Sequence, residues 1–209
     1  RRQLLARLGV AGVGGIGGCS LLDTLPSQQR PAPLSTPQPI PHRDPPTIEP
    51  SFETRLDIVE AGADPTGSDP IDDILTRHTE DTLLLFPDGQ YKIRRVELEN
   101  PANLGWRATT GSSPTLVPAD PATATDGEWL TFSGAKNVVL DGLTYDFRRQ
   151  GYGGRTMLRG PSDILVKDLS VRGAFDIHDQ QLCRLDVTDE SGVAVVENLA
   201  ASGTRRADI

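Results

Sequence analysis

The sequence predicts an all-β fold, a parallel β-helix whose coils stack on one another. Three similar segments recur along it: 138–143, 164–169 and 194–199. Leu143 and Leu169 are 26 residues apart, and Leu169 and Leu199 are 30 residues apart. Repeats of this length that contain short strands are typical of solenoids, whose coils lie about 4.8 Å apart. The second observation is that helical periodicity ends early, and Gly, Asn, Asp and Pro break the rest into brief strands.

The repeats predict which side chains face inward. Alternation along each segment places one apolar set in a continuous core: Val138, Leu140, Ile164, Val166, Ala194 and Val196. A shorter strand precedes each segment across a polar turn, at 130–132, 157–159 and 185–187.

One column of the aligned repeats is charged. Asp141, Lys167 and Glu197 occupy the same place in three successive coils, and the turn residues Asn137 and Asp163 also coincide. Closely stacked charges of alternating sign attract, so the pattern favours an outward charge ladder and a polar turn stack. The alternative is an acidic site with a lysine.

A short helix is predicted near residue 70. Asp69 can cap it, Pro70 suits the first helical position, and the next residues are acidic. One face then carries Ile71, Ile74, Leu75 and His78 at helical spacing. This spacing favours His78 as a packing residue at the helix end over a ligand. Strands follow at 83–86 and 90–93, joined by a turn at 87–89 and continued by Val96 and Leu98.

Two motifs at the start of the strand region resemble a known family. Residues 62–67 (GADPTG), the short helix and residues 86–91 (FPDGQY) resemble the N-terminal entry of the pectate-lyase-like right-handed parallel β-helix superfamily. Residues 104–117 look like its second rung, and the likeness extends over about 52–201. The resemblance implies a right-handed coil with a helix over its open end. The chain stops one strand after a coil, so we expect it to be the front part of a longer protein.

The resemblance also implies an action on extracellular polysaccharide, as a lyase or glycoside hydrolase. The alternative is a non-catalytic carbohydrate-binding or surface-structural protein, since one architecture hosts both. The hydrolase signature of paired aspartates followed by Gly-His-Gly is missing from this sequence, as is an Arg-x-x-x-x-Arg lyase arrangement beside calcium-binding aspartates.

The first fifty residues are predicted to lie outside the fold. Arg1 and Arg2, a Gly-rich apolar stretch and Cys19 form the pattern of a twin-arginine lipoprotein signal over 1–18, with Cys19 as the lipidated residue. Residues 19–50 form a Pro-rich disordered tether, and 51–209 form the β-helix domain. The expected location is the extracellular face of the membrane, held by the lipid anchor.

The charge of the chain excludes a class of partner. The net charge is −8, and the arginines of the first fifty residues leave about −10 on the remainder. An acidic domain lacks the basic footprint that nucleic acids require. With three lysines against eighteen arginines, this composition is also typical of proteins kept soluble in high salt.

Two clusters could carry chemistry. Asp176, His178 and Asp179 could bind a cation, with calcium possible, or supply an acid and a base to a sugar. In residues 146–152, Asp146 and Arg148 lie beside a further arginine and a tyrosine, which could hold and stack a uronic sugar. The alternative for both clusters is a solvated polar loop. No cofactor is evident, and no residue pattern predicts a bound transition metal.

Three further side chains have two interpretations each. Trp106 and Trp129 could be sugar-stacking platforms or core fillers. Cys183 is interpreted as a buried small hydrophobe rather than a nucleophile.

Overall fold

Fifteen short strands and one helix make up the described part of the chain. A computed structural model describes residues 48, 50–121, 128–149, 151–175 and 182–205. In chain order the elements are β1 (Thr54–Asp57), α1 (Asp72–Arg77), β2 (Glu80–Phe86), β3 (Gln90–Ile93), β4 (Val96–Glu99), β5 (Ala102–Ala108), β6 (Thr115–Pro118), β7 (Glu128–Ser133), β8 (Lys136–Asp141), β9 (Thr144–Phe147), β10 (Arg155–Gly160), β11 (Ile164–Lys167), β12 (Ser170–Phe175), β13 (Cys183–Val187), β14 (Ala194–Glu197) and β15 (Ala200–Arg205). No helix among these residues is long and apolar enough to cross a membrane.

The strands form three parallel sheets that run along the coil. Sheet 1 has the order β1-β2-β5-β8-β11-β14, sheet 2 the order β3-β6-β9-β12-β15, and sheet 3 the order β4-β7-β10-β13. Each coil contributes one strand to each sheet, as β2, β3 and β4 do in the first. Four such coils and a partial fifth follow one another, and every strand pairs in parallel with its neighbours. The predicted parallel β-helix is confirmed.

The register confirms the repeat on which the prediction rested. Val138 pairs with Ile164, and Ile164 pairs with Ala194. Of the six residues predicted to face the core, four are fully buried: Val138, Leu140, Ile164 and Val166. Ala194 and Val196 are in register with Ile164 and Val166 and so face inward as predicted, but both are exposed, Val196 by 48%, and the prediction that they belong to the core is wrong. They belong to β14, which pairs with β11 alone among the described strands, so no coil covers their inner side.

The helix covers the open end of the first coil, as the resemblance implied. β1 lies at the edge of sheet 1, Pro70 then bridges to Lys92 of sheet 2, and α1 packs against β4 of sheet 3. The helix therefore replaces a strand of sheet 3 in an incomplete coil. Its apolar face buries Ile71, Ile74 and Leu75.

The helix begins later than predicted. The residue that precedes it is Ile71, and no side chain caps it by hydrogen bonding, so the predicted Asp69 cap is wrong. The chain is still paired with sheet 2 at Pro70 and therefore cannot turn there. Asp72 instead accepts hydrogen bonds from the backbone N–H groups of Arg94 and Arg95, at 3.0 and 3.1 Å.

Polar side chains connect successive coils where the chain enters sheet 1. The Asn103 amide donates to Asp81 at 2.7 Å, and the Asn137 amide donates to Asn103 at 2.8 Å. All three residues have positive φ, a conformation that asparagine and aspartate tolerate better than other side chains. Asn198 donates to Asp168 at 2.8 Å where the chain leaves the same sheet. Each bond fixes one coil against the next.

The charged column at the end of sheet 1 is an outward ladder, as predicted. Arg107, Asp141, Lys167 and Glu197 are in register on four successive strands. The Arg107 guanidinium lies 2.8 Å from the Asp141 carboxylate, and the Lys167 ammonium lies 3.6 Å from Glu197. The alternative of an acidic site with a lysine is not favoured, because these carboxylates are paired with cations.

Both tryptophans are core fillers. Trp106 is fully buried and Trp129 is 1% exposed, so neither can stack on a sugar from solvent. Trp129 packs edge-on against Tyr145 and Phe147, with ring centroids 5.1 Å apart in each pair, and its indole N–H donates to the backbone oxygen of Ile93.

Candidate functional site

A cleft of about 410 Å³ lies on the outer face of sheet 2. Its floor is formed by β3, β6 and β9, and one wall by the loop that follows β9. Its lining includes Gln90, Lys92, Val117, Asp146, Arg149 and Tyr152. This volume is at the lower end of the range for small-molecule sites.

Strand alternation places the floor residues on the outer face. Tyr91, Leu116 and Tyr145 point into the core and are buried, so the residues that follow each of them point outward. Lys92 pairs with Val117, and the pairing of Leu116 with Tyr145 puts Val117 beside Asp146. The next residue of this outer row is Arg172, which pairs with Asp146 from β12.

Asp146 and Arg148 form a close ion pair at the cleft wall. The Arg148 Nε donates to the Asp146 carboxylate at 2.9 Å, and the Arg148 backbone N–H donates to it at 2.9 Å. Hydrogen bonds from the Arg148 side chain hold the pKa of Asp146 below its ordinary value. The carboxylate is therefore ionised at neutral pH, and it is a poor proton donor.

Arg149 and Tyr152 form the outer edge of the cleft. The Arg149 guanidinium carbon lies 4.0 Å from the centre of the Tyr152 ring, within cation–π distance. The Tyr152 N–H donates to the Arg149 carbonyl at 3.0 Å, which closes the turn between them. The loop returns at Gly154, where an added Cβ would clash with the Trp129 Cβ. Glycine therefore lets the loop lie against the core beneath it.

The cleft has a local excess of positive charge. Lys92, Arg148 and Arg149 line it, against Asp146 as the single acidic residue of the described lining. The Lys92 ammonium donates to the backbone oxygen of Ser68 at 3.3 Å. Among the described contacts it has no carboxylate partner. An acidic domain thus carries a cationic cleft on one face, which suits an anionic ligand.

The cleft is poorly equipped for acid–base cleavage of a sugar. Glycoside hydrolysis by the usual route needs two carboxyl groups, one of them protonated. The described lining supplies one carboxylate, which is paired with Arg148. Within the described ranges no three His, Cys, Asp or Glu side chains gather as a metal site. Calcium stays a prediction.

The other predicted site residues have different outcomes. Asp176, His178 and Asp179 lie outside the described residues, as do Arg1, Arg2 and Cys19. His78 ends α1 and is half-buried, consistent with a packing role.

Cys183 is half-buried and unpaired. Burial raises its pKa to about 11, so the thiolate required of a nucleophile is scarce at neutral pH. This favours its interpretation as a small hydrophobe.

Sequence reasoning missed half of the cleft. Gln90, Lys92 and Val117 were not recognised as site residues, because nothing in their local sequence suggests binding. The available signal was alternation, since Tyr91 and Ile93 point inward and leave Lys92 outward. Only the register of three successive coils then brings Lys92 near Asp146, 54 residues later.

Comparison with protein-family models, with curated proteins and with solved structures returns no match to this chain. The fold is therefore established by the strand topology alone, and the pectate-lyase-like assignment is a proposal.

Proposed function

We propose that the protein is a cell-surface β-helix that holds an anionic polysaccharide in the sheet 2 cleft without cleaving it. The observation that carries this proposal is the cationic lining of the cleft, with Lys92, Arg149 and the Arg148–Asp146 pair beside an aromatic ring. Guanidinium groups bind carboxylates with two parallel hydrogen bonds, and a tyrosine ring can contact the apolar face of a sugar.

The ligand class follows from the charges. A neutral sugar would gain little from three cations, whereas a uronate or sulfated sugar would pair with them. Exposed ion pairs contribute about 0.2–1 kcal/mol each, so a single sugar unit binds weakly. A polymer with an acidic group on each unit offers many equivalent binding positions along its length, which raises the apparent affinity.

The catalytic alternative is a polysaccharide lyase or glycoside hydrolase. The paired state of Asp146 argues against the hydrolase, since the carboxylate is neither protonated nor free. A lyase would need a base beside the acidic sugar. The basic side chains in the described lining of the cleft are those of Lys92 and the arginines, among them Arg149.

Export and anchoring are a separate part of the proposal. The twin-arginine pattern and residues 16–19 (IGGC), which resemble the cleavage motif of a lipoprotein signal, support a lipid-anchored protein on the extracellular face of the membrane. Cys19→Ser should release the protein from the membrane fraction, and Arg1→Lys with Arg2→Lys should block export. Retention of the Cys19→Ser protein in membranes would contradict the anchor.

Calorimetric titration with polygalacturonate and with dextran tests the ligand class. We expect binding of the acidic polymer and none of the neutral one. Lys92→Gln and Arg149→Gln should each weaken binding about 3- to 10-fold, equivalent to about 0.7–1.4 kcal/mol. Arg159→Gln is the matched control, because Arg159 is an exposed arginine on the outer face of sheet 3.

The same mixtures are followed for cleavage, with and without calcium. New reducing ends would support a hydrolase, and unsaturated products that absorb in the ultraviolet would support a lyase. Either result would replace the non-catalytic proposal. Equal binding by the Arg149→Gln and Arg159→Gln proteins would contradict the cleft as the binding site.

A further inference from the structure

The outer row of sheet 2 continues beyond the cleft. Successive strands place five residues side by side along it: Lys92, Val117, Asp146, Arg172 and Ser202. The first three line the cleft, whereas Arg172 on β12 and Ser202 on β15 lie outside its described lining and are exposed. Their neighbours on the strands, such as Tyr91 and Val171, are buried in the core, so alternation points the whole row outward.

Arg172 lies directly beside the ion pair at the cleft wall. It pairs with Asp146 across neighbouring strands that are about 4.8 Å apart. Gly173 follows it with a φ of 123°, and a Cβ added there would clash with the Phe147 backbone and lie 2.6 Å from the Arg148 nitrogen. Glycine therefore lets β12 lie close against the point where the wall loop begins, and Arg172 borders that loop.

The Arg172 guanidinium is accessible to a ligand. The side chain is exposed, and none of the described ion pairs includes it. Its charge reaches the cleft, because it helps to hold the pKa of Asp146 below its ordinary value, after the larger contribution of the hydrogen bonds from Arg148. Asp146 is already bonded to Arg148, so the Arg172 charge is left to attract an anion from solvent.

The row sets a minimum length for a ligand that contacts both of its cations. Lys92 and Arg172 are three strand spacings apart, about 14 Å at about 4.8 Å each. One sugar ring cannot span this distance, whereas an oligosaccharide can. A second contact raises the affinity of an acidic polymer because, once one sugar unit is bound, the linked units are held near the row at a high effective concentration.

We propose that Arg172 is a second anion-binding position on sheet 2, so that an acidic polysaccharide crosses the strands and contacts Lys92 and Arg172 with different sugar units. This inference rests on the proposed function, and it adds the direction and the minimum length of the bound segment. The bound sugars run along the stack of coils, and Ser202 offers a hydroxyl next to Arg172 in the same row.

Calorimetric titration with digalacturonate and with hexagalacturonate tests this position. The parent protein should bind the hexasaccharide about fivefold or more tightly than the disaccharide, because only the longer ligand reaches both cations. Arg172→Gln should weaken hexasaccharide binding about 3- to 5-fold and change disaccharide binding by less than about 1.5-fold. Arg149→Gln should weaken the binding of both ligands. Arg172→Lys keeps the charge and should retain most of the hexasaccharide affinity.

Arg159→Gln is the matched control, because Arg159 is an exposed arginine outside this row, on the outer face of sheet 3. It should bind both ligands as the parent does, and far-ultraviolet circular dichroism checks that the coils of every variant are intact. An unchanged hexasaccharide affinity in the Arg172→Gln protein would overturn the inference. An equal loss for both ligands would also overturn it, because Arg172 would then act on the cleft only through its charge.

The same titrations separate this inference from the proposed function. If Arg149→Gln weakens binding and Arg172→Gln does not, the cleft still binds the acidic sugar and only the second position is wrong. If the parent protein binds neither ligand, the proposed function itself is wrong, and the second position is wrong with it.

Discussion

The outer faces of sheets 1 and 2 are built on the same coils, yet they differ in what they present. On sheet 1 the outer row that contains Val139 and Val195 is apolar and buried, and the charged ladder lies at the end of the same strands. On sheet 2 the outer row places Lys92 and Asp146 at an open cleft. The inner rows of both sheets are equally apolar. The inner residues thus stabilise the coil by packing in its core, and the outer residues determine what each face can bind.

The largest expected effect on stability comes from placing a charge in the buried outer row of sheet 1. Val139→Asp should lower the free energy of unfolding by about 3 kcal/mol, because an unpaired carboxylate loses its hydration there. Thermal unfolding should shift down by roughly 6–12 °C. Thr131→Asp, at a half-buried outer position of sheet 3, is the control and should shift it far less.

A second test uses the interior that both faces share. Burial raises the pKa of Cys183 from 9.0 to about 11, so the folded state favours the neutral thiol. The unfolded thiol ionises first as pH rises, and stability is therefore present below pH 9 and lost between about pH 9 and 11. The loss should be about 2–3 kcal/mol in urea unfolding.

Cys183→Ala is the control for that pH series. Tyr91, with its pKa raised to about 12, still contributes alkaline destabilisation in the variant. The variant should therefore lose less stability than the parent over this interval. Equal losses in the two proteins would mean that the thiol is not shielded from water.

The charged ladder at the end of sheet 1 gives a smaller effect. Asp141→Lys would place three cations on successive strands, with Arg107 on one side and Lys167 on the other. We expect a loss of about 1 kcal/mol at low salt, because the positions are partly exposed. The loss should shrink in 1 M sodium chloride, where the screening length is about 3 Å. Asp141→Asn removes the attraction without adding repulsion and should cost less.

The smallest expected effect concerns the affinity of the sheet 2 cleft for an acidic polysaccharide. Asp146→Asn removes the carboxylate of the cleft and frees Arg148, so the affinity for polygalacturonate should rise about 2- to 5-fold in calorimetry, equivalent to about 0.4–1 kcal/mol. The effect should persist down to about pH 5, since the pKa of Asp146 lies below its ordinary value of 3.8. Weaker binding would show that Asp146 itself contacts the ligand.

The coil was predictable because each coil repeats the one before it. The spacing of Leu143, Leu169 and Leu199 gave the register of sheet 1 correctly. In sheet 3 the strands were predicted, but their register was not. The register of β10 against β7 shifts between Arg155 and Thr156, and short strands carry too few residues to reveal such a shift.

The faces were less predictable than the coil. Alternation shows that Val139 points outward, but it does not show that Val139 is fully buried there. Likewise, Asp146 and Arg148 were recognised as neighbours in sequence, whereas Lys92 joins them only through the stacking of three coils. Repetition specifies the neighbours within a sheet, and it carries no information about what lies outside it.

The side-chain hydrogen bonds that Asn103, Asn137 and Asn198 donate between coils have a consequence for how the protein folds. They join residues 22, 34 and 30 positions apart, so the coils that they connect close loops of similar length. The entropy of loop closure differs by only about 0.4 kcal/mol between the shortest and the longest. Loop closure therefore favours none of these coils strongly over another, and growth can proceed one coil at a time from the helix-covered end. A chain that emerges gradually, N-terminus first, could fold in the order in which its coils appear.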